Sequence, residues 1–311
     1  MATYLPTSGA LSMSSINSVF GGRGDNLNSY RGTTYYLSTG GAHTFSSGAI
    51  GFGCFYGTGP SPNSFTYTVA SNQTNFCMRA GAVSAGWCQS AALNVVINSG
   101  VIISSNGTGT PAMTIQGSYP SGVSVKNNGT IVGMGGAGGK GGGSQGSGAG
   151  GVTGGTALKI SSSVTFCNAS GTIAGGGGGG GGGGTGSFFC CGCVGWYPGG
   201  GGGGGRSSNA ANSSGGSGGC HTCPSWVAGS GSAGTYSSAG GGGASGCGAP
   251  RGGHGGSGGN WGASGSGGCN GAAGNGGSTR PPGGGGAGGK ATCGASNVTW
   301  TATGTRYGSI S

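Results

Sequence analysis

The stretch Ile173-Ala-Gly-Gly-Gly-Gly-Gly-Gly-Gly-Gly-Gly-Gly-Thr185 holds ten consecutive glycines, and a second run of seven follows at 199–205. Glycine loses more backbone freedom on folding than any other residue, and glycine-rich tracts usually behave as flexible linkers. Glycine makes up 91 of the 311 residues. A collagen helix is excluded because the glycines are contiguous rather than at every third position and the chain has only 10 prolines.

Disorder is disfavoured by the low charge of the chain. Only 4% of the residues are charged and Asp25 is the only acid, whereas disordered chains are usually rich in charge. An ordered alternative is a polyproline-II-like helix with three residues per turn, in which the ten-glycine run would extend for about 31 Å. Without side chains such helices can pack side by side and bond laterally. The sequence therefore predicts a stack of polyglycine-II helices with the other residues at its turns.

The net charge of +10 comes from single basic residues scattered along the chain, without a run or a helical stripe. Nucleic-acid binding is therefore not expected, but diffuse positive charge favours anionic partners such as lipopolysaccharide phosphates or acidic glycans. No stretch of 18 apolar residues occurs, so no membrane span is predicted. The N-terminal residues 1–7 lack the charged start and apolar core of a signal peptide.

The first forty residues predict a small ordered element. Ser12 or Ser14 can cap a short helix, and Gly21-Gly22 can end it. The apolar residues that fall on one face of this helix are Met13, Ile16 and Phe20. A second turn is predicted around 26–32.

Residues 43–120 predict a β-rich domain that leads into an internal repeat. Phe65-Thr-Tyr-Thr-Val69 alternates as a half-buried strand does. The repeat units are Ser99-Gly-Val-Ile-Ile103, Asn128-Gly-Thr-Ile-Val-Gly133 and Ser170-Gly-Thr-Ile-Ala-Gly175, and each follows an apolar strand. Stacked short strands of this kind predict a β-solenoid, and the last two units run directly into glycine.

Twelve cysteines, nine of them between residues 167 and 293, are consistent with disulfides or with buried free thiols. A zinc site is a weaker alternative, because its two halves are irregularly spaced. Its ligands would be Cys190, Cys193, Cys220 and Cys223.

Catalysis is not expected. General acid–base chemistry usually needs paired carboxylates or a poised histidine, and the chain offers one acid and three isolated histidines: His43, His221 and His254. The glycine runs do not end in the Gly-Lys-Ser/Thr of a phosphate-binding loop. No cofactor is predicted.

Four stretches ahead of the long glycine runs share the character of one family. They are 76–87 (Phe-Cys-Met-Arg-Ala-Gly-Ala-Val-Ser-Ala-Gly-Trp), 95–103, 111–115 and 119–139. Together they resemble tail-fibre and tail-tip proteins of tailed bacteriophages, in which an asparagine–glycine–isoleucine turn leads into glycine-rich tracts. The glycine-rich part is similar in composition and layout to the tip adhesins of T-even-type phages, where a sandwich of polyglycine helices presents aromatic-rich loops to the host receptor.

The resemblance implies a fold that is mainly β and irregular, with little α-helix. It implies a virion attachment segment at 1–60, a β-rich, solenoid-like domain at 61–132, a polyglycine-II domain at 133–295 and a C-terminal strand at 296–311. The glycine-rich domain would include an internal β repeat at 156–174. The N-terminal stretches are similar to short attachment segments of phage virion proteins, and the residues implied in attachment are Met13, Ile16, Phe20, Leu27 and Tyr30.

The function implied is that of a tail fibre or adhesin that attaches to the virion tail and recognises the host surface. Its partners would be other tail or baseplate proteins and a host glycan, lipopolysaccharide or outer-membrane protein. Fibres of this type are commonly trimers, whereas tip adhesins act as single copies, and of the two a homo-oligomer, favouring a trimer, is expected. The chain would be made in the host cytoplasm. The alternative is a structural tail-tip or baseplate component that touches no receptor.

Aromatic side chains in the glycine-rich region are the candidates for receptor contact, since they bring large contact area at low entropy cost. They can equally cap the glycine stack and shield it from water. The candidates are Phe188, Phe189, Trp196, Tyr197, Trp226, Tyr236 and Trp261, with the pair 196–197 preferred.

Overall fold

The computed structural model describes residues 4–37, 42–46, 48–60, 64–87, 89, 91–190, 193–222, 225–245 and 251–311. An N-terminal module is followed along the chain by parallel β-strands wound into successive turns, as in a β-solenoid, and we call this region the coil. Glycine-rich segments are inserted into the coil. The fold is mainly β with few helices, as the sequence predicts.

The N-terminal module combines one helix with a small antiparallel sheet. Its elements are α1 Met13–Phe20, the 3-10 turn Leu27–Tyr30, β1 Thr34–Leu37, β2 Ala42–Thr44, the 3-10 turn Phe52–Phe55 and β3 Thr58–Gly59, with β1 between β2 and β3. The Oγ of Ser12 accepts a hydrogen bond from the backbone N–H of Ser15 at 3.1 Å, and Gly21 ends the helix at φ 76°. Both ends of α1 therefore follow the capping pattern of the sequence.

The coil passes through three parallel sheets in each turn. In chain order its strands are β4 Ser64–Val69, β5 Gln73–Thr74, β6 Phe76–Cys77, β7 Ala92–Ile97, β8 Ile102–Ser104, β9 Met113–Ile115, β10 Val123–Asn127, β11 Thr130–Val132, β12 Leu158–Ile160, β13 Val164–Cys167 and β14 Thr172–Ala174. The glycine-rich region adds two hairpins, whose strands are β15 Gly186–Cys190, β16 Cys193–Tyr197, β17 Cys220–Thr222 and β18 Ser225–Val227. The coil then closes with β19 Thr292–Cys293, β20 Val298–Ala302 and β21 Thr305–Tyr307.

Equivalent strands of successive turns lie side by side. The three sheets have the orders β4-β7-β10-β13-β20, β5-β8-β11-β14-β21 and β6-β9-β12-β19. The predicted repeat is confirmed in the second sheet, where Ile103, Ile131 and Ile173 occupy the same register and are fully buried. Because every turn adds one side chain to each such column, a continuous apolar core runs along the coil.

Two buried asparagines brace the corner between the first and second sheets. The Nδ2 of Asn127 donates to Oδ1 of Asn168 at 2.7 Å, and Nδ2 of Asn168 donates to the Thr303 carbonyl at 2.9 Å. The Oδ1 of Asn127 accepts from the N–H of Gly129 at 3.1 Å. The amides thus supply partners for one another and for backbone groups where the strands turn, as buried polar groups require.

A short helix, α2 Met78–Ser84, replaces a simple turn after β6. It packs closely on side chains of the first turn. A Cβ added to Gly81 would lie only 2.7 Å from the Phe76 ring and 2.9 Å from the Tyr67 hydroxyl. Glycine permits that approach. Within the described ranges no helix has the length and apolar character needed to span a membrane.

Both glycine-rich insertions leave and re-enter the coil at the same corner. The first leaves after β11 and returns at β12, and the second leaves after β14 and returns at β19. Each exit follows a strand of the second sheet, and each return enters a strand of the third. The insertions therefore project from one side of the coil, one above the other.

The ten-glycine run is surrounded by six other segments. The amides of Gly176, Gly179 and Gly182 donate to one neighbour, at the carbonyls of residues 155, 152 and 149. The next glycine in each case (177, 180 and 183) donates to a second neighbour, at the carbonyls of residues 206, 203 and 200. The glycine after that (178, 181 and 184) donates to a third neighbour, at the carbonyls of residues 263, 266 and 269. Three further segments, 136–142, 253–259 and 283–289, donate to its carbonyls. Hydrogen-bonding partners thus recur every third residue.

Ten described segments form this glycine lattice, in three rows. The first row is 146–155, 133–142 and 213–219; the second is 281–290, 175–184, 199–206 and 228–235; the third is 263–271, 252–260 and 240–245. The two central segments, 175–184 and 199–206, each bond to six neighbours. No room remains for side chains there: a Cβ on Gly181 would lie 2.0 Å from the Gly283 carbonyl oxygen.

Candidate functional site

The glycine lattice has two unlike ends. At the proximal end it joins the coil, where the N–H of Gly175 donates to the Tyr307 carbonyl and that of Gly133 to the Ala174 carbonyl. The distal end is the opposite end of the lattice, where the chain reverses direction far from the coil. The described residues there are 143–146, 185–190, 193–198, 220–222, 225–227, 251–252 and 272–280.

The distal end carries a β-hairpin formed by β15 and β16. Its pairs include Ser187 opposite Trp196 and Phe189 opposite Val194. Side chains directly opposite each other in an antiparallel pair share a face. These four residues therefore lie on one face of the hairpin, which we call the outer hairpin face.

The base of the outer hairpin face is fastened to the loop 272–280. The N–H of Ser187 donates to the Ser278 carbonyl at 2.9 Å, and the N–H of Ser278 donates to the Ser187 hydroxyl at 2.8 Å. The N–H of Gly274 donates to the Ser187 carbonyl at 2.9 Å. Trp196, the neighbour of Ser187 on this face, is only 7% exposed.

The tip of the same face remains open to solvent. Phe189 is 55% exposed and Val194 is 49% exposed. Two apolar side chains directly opposite each other form a small contact surface that water leaves readily. The sequence does not predict Val194 as a contact residue, because a single valine gives no indication of a site until its strand partner is known.

The opposite face of the hairpin packs on itself. Phe188 and Tyr197 are both half-buried, with ring centroids 5.2 Å apart. A Cβ on Gly195 would lie 2.3 Å from the Phe188 ring, so glycine lets that ring lie flat across the strand. Phe188 and Tyr197, two of the predicted contact residues, therefore pack against each other on this face.

A second hairpin, β17 with β18, stands at the distal end as well. Cys220 pairs with Val227 and His221 with Trp226. Val227 is 73% exposed. Trp226 lies on this hairpin at the distal end, but its side chain lies outside the described part of the structure.

The remaining two aromatic candidates lie at the proximal end. Trp261 carries the Arg206 guanidinium 3.6 Å above its ring centroid, and its Nε1 donates to the Ser207 carbonyl at 3.0 Å. The Tyr236 ring packs edge-on against it at 5.1 Å, and Nε of Arg206 donates to the Tyr236 carbonyl at 3.0 Å. This cluster also approaches Tyr307 of the last coil turn, at 6.1 Å, so it joins lattice and coil.

Positive charge is unbalanced at the distal end. Arg251 and Arg280 are exposed there, and the only acid of the chain, Asp25, belongs to the N-terminal module. The Cζ of Arg280 lies 5.8 Å from the Trp196 ring centroid, within the range of a cation–π contact. The distal end therefore combines exposed apolar groups with guanidinium groups that no acidic side chain neutralises.

The residues predicted for attachment build the core of the N-terminal module. Ile16, Phe20 and Tyr30 are buried, and the Tyr30 hydroxyl donates to Oδ1 of Asn17 at 2.5 Å. Met13 and Leu27 are half-buried against the same cluster. In the module itself Phe52 is the large apolar residue that remains exposed, at 41%, among those the structure describes.

The cysteines give no metal site in the described part of the chain. The six described cysteine side chains are free thiols, at positions 54, 77, 167, 220, 269 and 293, and no group of three potential ligands is found among described residues. Of the four residues of the zinc alternative, Cys223 and the side chains of Cys190 and Cys193 lie outside the described residues.

Two titratable groups with shifted pKa values lie on the coil, away from the distal end. Burial raises the pKa of Tyr119 to about 12, with nearby Cys77 adding to the effect and Arg79 opposing it. A hydrogen bond with the Ala169 backbone, together with one from Thr301, lowers the pKa of Cys167.

Comparison with known proteins decides the family. A sequence model of the phage tail fibre adhesin Gp38 matches residues 64–311, which takes in the coil and the whole glycine lattice. The chain belongs to the phage tail fibre adhesin Gp38 family. It is therefore a component of the virion tail and a receptor-binding adhesin that recognises the host cell, rather than a structural part without receptor contact.

One solved structure is also similar. A chain in the crystal structure of the gp37-gp38 adhesin tip complex of the bacteriophage S16 long tail fibre is 20% identical, with a TM-score of 0.48. The match covers 98% of this chain and 100% of that chain. A search of curated protein sequences finds no significant match.

Proposed function

We propose that the distal end of the glycine lattice is the surface with which this adhesin contacts its host receptor. The observation that carries the proposal is the exposed apolar pair Phe189 and Val194 on a hairpin fastened to a neighbouring loop. Tip adhesion needs side chains that are open to solvent yet held on a rigid base. Val227 on the second hairpin extends the same end.

The proximal end is a poorer candidate because its aromatic side chains are already engaged. Trp261 is covered on one face by Arg206 and held at its Nε1 by Ser207. The Ser208 hydroxyl donates to the Ser105 carbonyl of the coil. We therefore assign Trp261 and Tyr236 to the joint between lattice and coil.

The lattice itself would be a sandwich of polyglycine-II helices. In support, the hydrogen-bonding partner changes with a period of three residues, which is the period of that helix. Such helices hold the distal turns on a stiff base of backbone alone. The proposed domains keep the bounds 1–60 for attachment, 61–132 for the solenoid-like part, 133–295 for the glycine-rich part and 296–311 for the last strand.

Residues 1–60 would join the adhesin to another tail or baseplate protein. The buried cluster of Ile16, Phe20 and Tyr30 gives this module a core of its own, so its surface rather than these side chains would meet the partner. The exposed Phe52 is the first candidate for contact. The same proposal includes a homo-oligomer, with a trimer as the favoured state, and synthesis in the host cytoplasm. The proposed receptor is a glycan, a lipopolysaccharide or an outer-membrane protein.

Binding of the purified full-length chain to cells of a confirmed host tests the distal assignment. The double variant Phe189→Ser with Val194→Ser should bind at least about tenfold more weakly, since ~1.4 kcal/mol of lost contact corresponds to a factor of ten. The matched control is Val152→Ser, because Val152 is 45% exposed on a side of the lattice. The proposal would be contradicted if the double variant and Val152→Ser lost host-cell binding equally, or if neither lost any.

A further inference from the structure

The indole of Trp196 differs from those of the other tryptophans whose hydrogen bonds are described. The Nε1 of Trp87 donates to the Ala91 carbonyl at 2.8 Å, and that of Trp261 donates to the Ser207 carbonyl at 3.0 Å. The Nε1 of Trp196 is buried and has no acceptor among the described residues. An unpaired buried donor is unfavourable, so its persistence calls for a reason.

The guanidinium next to this indole likewise has no hydrogen-bond acceptor among the described residues. Arg280 is exposed, its Cζ lies 5.8 Å from the Trp196 ring centroid, and Asp25 carries the only carboxylate side chain in the sequence. The backbone that carries Arg280 is fixed, because its N–H donates to the Thr185 carbonyl at 2.9 Å and two prolines follow. The mobile guanidinium of Arg280 is thus anchored close to the indole that carries the buried N–H donor.

The indole N–H lacks a hydrogen-bond acceptor, and the guanidinium lacks an anion. One negatively charged oxygen group would supply both. Arginine binds carboxylate and phosphate oxygens through several N–H groups, and charge-assisted hydrogen bonds are the stronger kind. The exposed Phe189 and Val194 lie on the same hairpin face, so an anionic group bound at Trp196 would have apolar surface beside it.

We infer that Trp196 and Arg280 form a subsite for an anionic oxygen group of the host surface, either a carboxylate or a phosphate. The inference rests on the proposed role of the distal end and names the chemistry that this end selects. Arg280 attracts the anion from solvent, and the indole N–H donates to one of its oxygens when the exposed arginine side chain moves with the anion to the ring edge.

The indole N–H signals of the 15N-labelled full-length chain test the subsite directly. The signal of Trp196 is identified by its absence from Trp196→Phe. Inorganic phosphate and acetate are titrated separately at constant ionic strength, with chloride as the reference anion. We expect a saturable shift of the Trp196 signal with phosphate or acetate but not with chloride, and the stronger of the two anions identifies the class of group.

Two arginine variants make the test specific. In Arg280→Gln the apparent affinity for the anion should fall at least tenfold, whereas Arg251→Gln, an exposed distal arginine with no described ring partner, should behave as the wild type. A Trp196 signal that does not move, or that moves equally in both variants, overturns the inference.

Cell binding separates this inference from the proposed function. Trp196→Phe keeps the ring and removes only the N–H donor, so we expect host-cell binding to weaken several-fold without loss of fold. If the wild type binds cells and both Trp196→Phe and Arg280→Gln bind them as well as the wild type does, the subsite is overturned and the adhesive role of the distal end stands. If the wild type binds no host cell while the indole signal responds to anions, the distal role fails alone.

Discussion

The coil and the glycine lattice both stack short segments of chain, but they fill their interiors with different atoms. Columns such as Ile103, Ile131 and Ile173 fill the coil with side chains. The lattice interior holds only backbone, and its segments approach so closely that a Cβ on Gly181 would lie 2.0 Å from a carbonyl oxygen. The coil is therefore sensitive to lost volume and the lattice to added volume.

The largest effect is expected from one methyl group added inside the lattice. Gly181→Ala should destabilise the lattice by more than about 4 kcal/mol, a size reserved for severe overpacking, because no flexible side chain can give way. The matched control is Gly284→Ala, since a Cβ there meets nothing within 4 Å and should change stability by about 0.5 kcal/mol or less. Thermal unfolding of both variants measures the difference, and similar melting curves would break the comparison.

Removing volume from the coil should cost somewhat less. Ile131→Ala takes three carbons from a fully buried column and should lower the free energy of unfolding by about 2–5 kcal/mol, and Ile131→Val by about 0.5–1.5 kcal/mol. Chemical denaturation measures both. A neutral Ile131→Ala would mean that the coil tolerates cavities and is not packed as described.

The joint between the two regions should respond more weakly. Arg206→Gln removes the guanidinium stacked on Trp261 and its bond to the Tyr236 carbonyl, with an expected loss of about 0.5–2 kcal/mol. Protection of lattice amides at the proximal end, measured by hydrogen exchange, should fall while coil amides keep theirs. Equal loss in both regions would show that they unfold together rather than at the joint.

The smallest effect concerns Tyr119 on the coil. Its folded-state pKa of about 12 exceeds the ordinary value of 10.0, so the unfolded chain loses this proton at lower pH than the folded chain does. The stability contributed by the neutral phenol is thus fully present below pH 10 and falls as the pH rises toward 12. Tyr119→Phe should flatten that fall. Absorbance titration of the phenolate at alkaline pH, compared with this variant, gives the pKa directly.

The two regions also differ in how far the sequence predicts them. The repeat around Ile103, Ile131 and Ile173 is readable because side chains mark the register of every turn. In the central lattice segments successive positions are all glycine, so the sequence indicates an ordered glycine stack but not which segment lies beside which. The sequence does not predict the short helix α2, because Met-Arg-Ala-Gly-Ala-Val-Ser lacks a capping residue and a clear apolar period.

The candidate site was predictable only in part. The preference for aromatic residues led to Trp196, which the structure buries, and to Trp261, which it places at the proximal end. Neither result is visible in the sequence, because the direction of each lattice segment decides which turn lies at which end. The Arg280 contact with Trp196 joins residues 84 positions apart. Val194 becomes a candidate contact residue only once its pairing with Phe189 is known.

The shared corner at which both insertions leave and re-enter the coil has a consequence for how such a lattice can grow. A chain that departs from the coil and must come back to it contributes segments in pairs, one outward and one inward. The first insertion supplies two of the described segments and the second supplies eight. Each added pair brings one new distal turn, so the repertoire of distal turns expands one at a time while the coil keeps its length and its core.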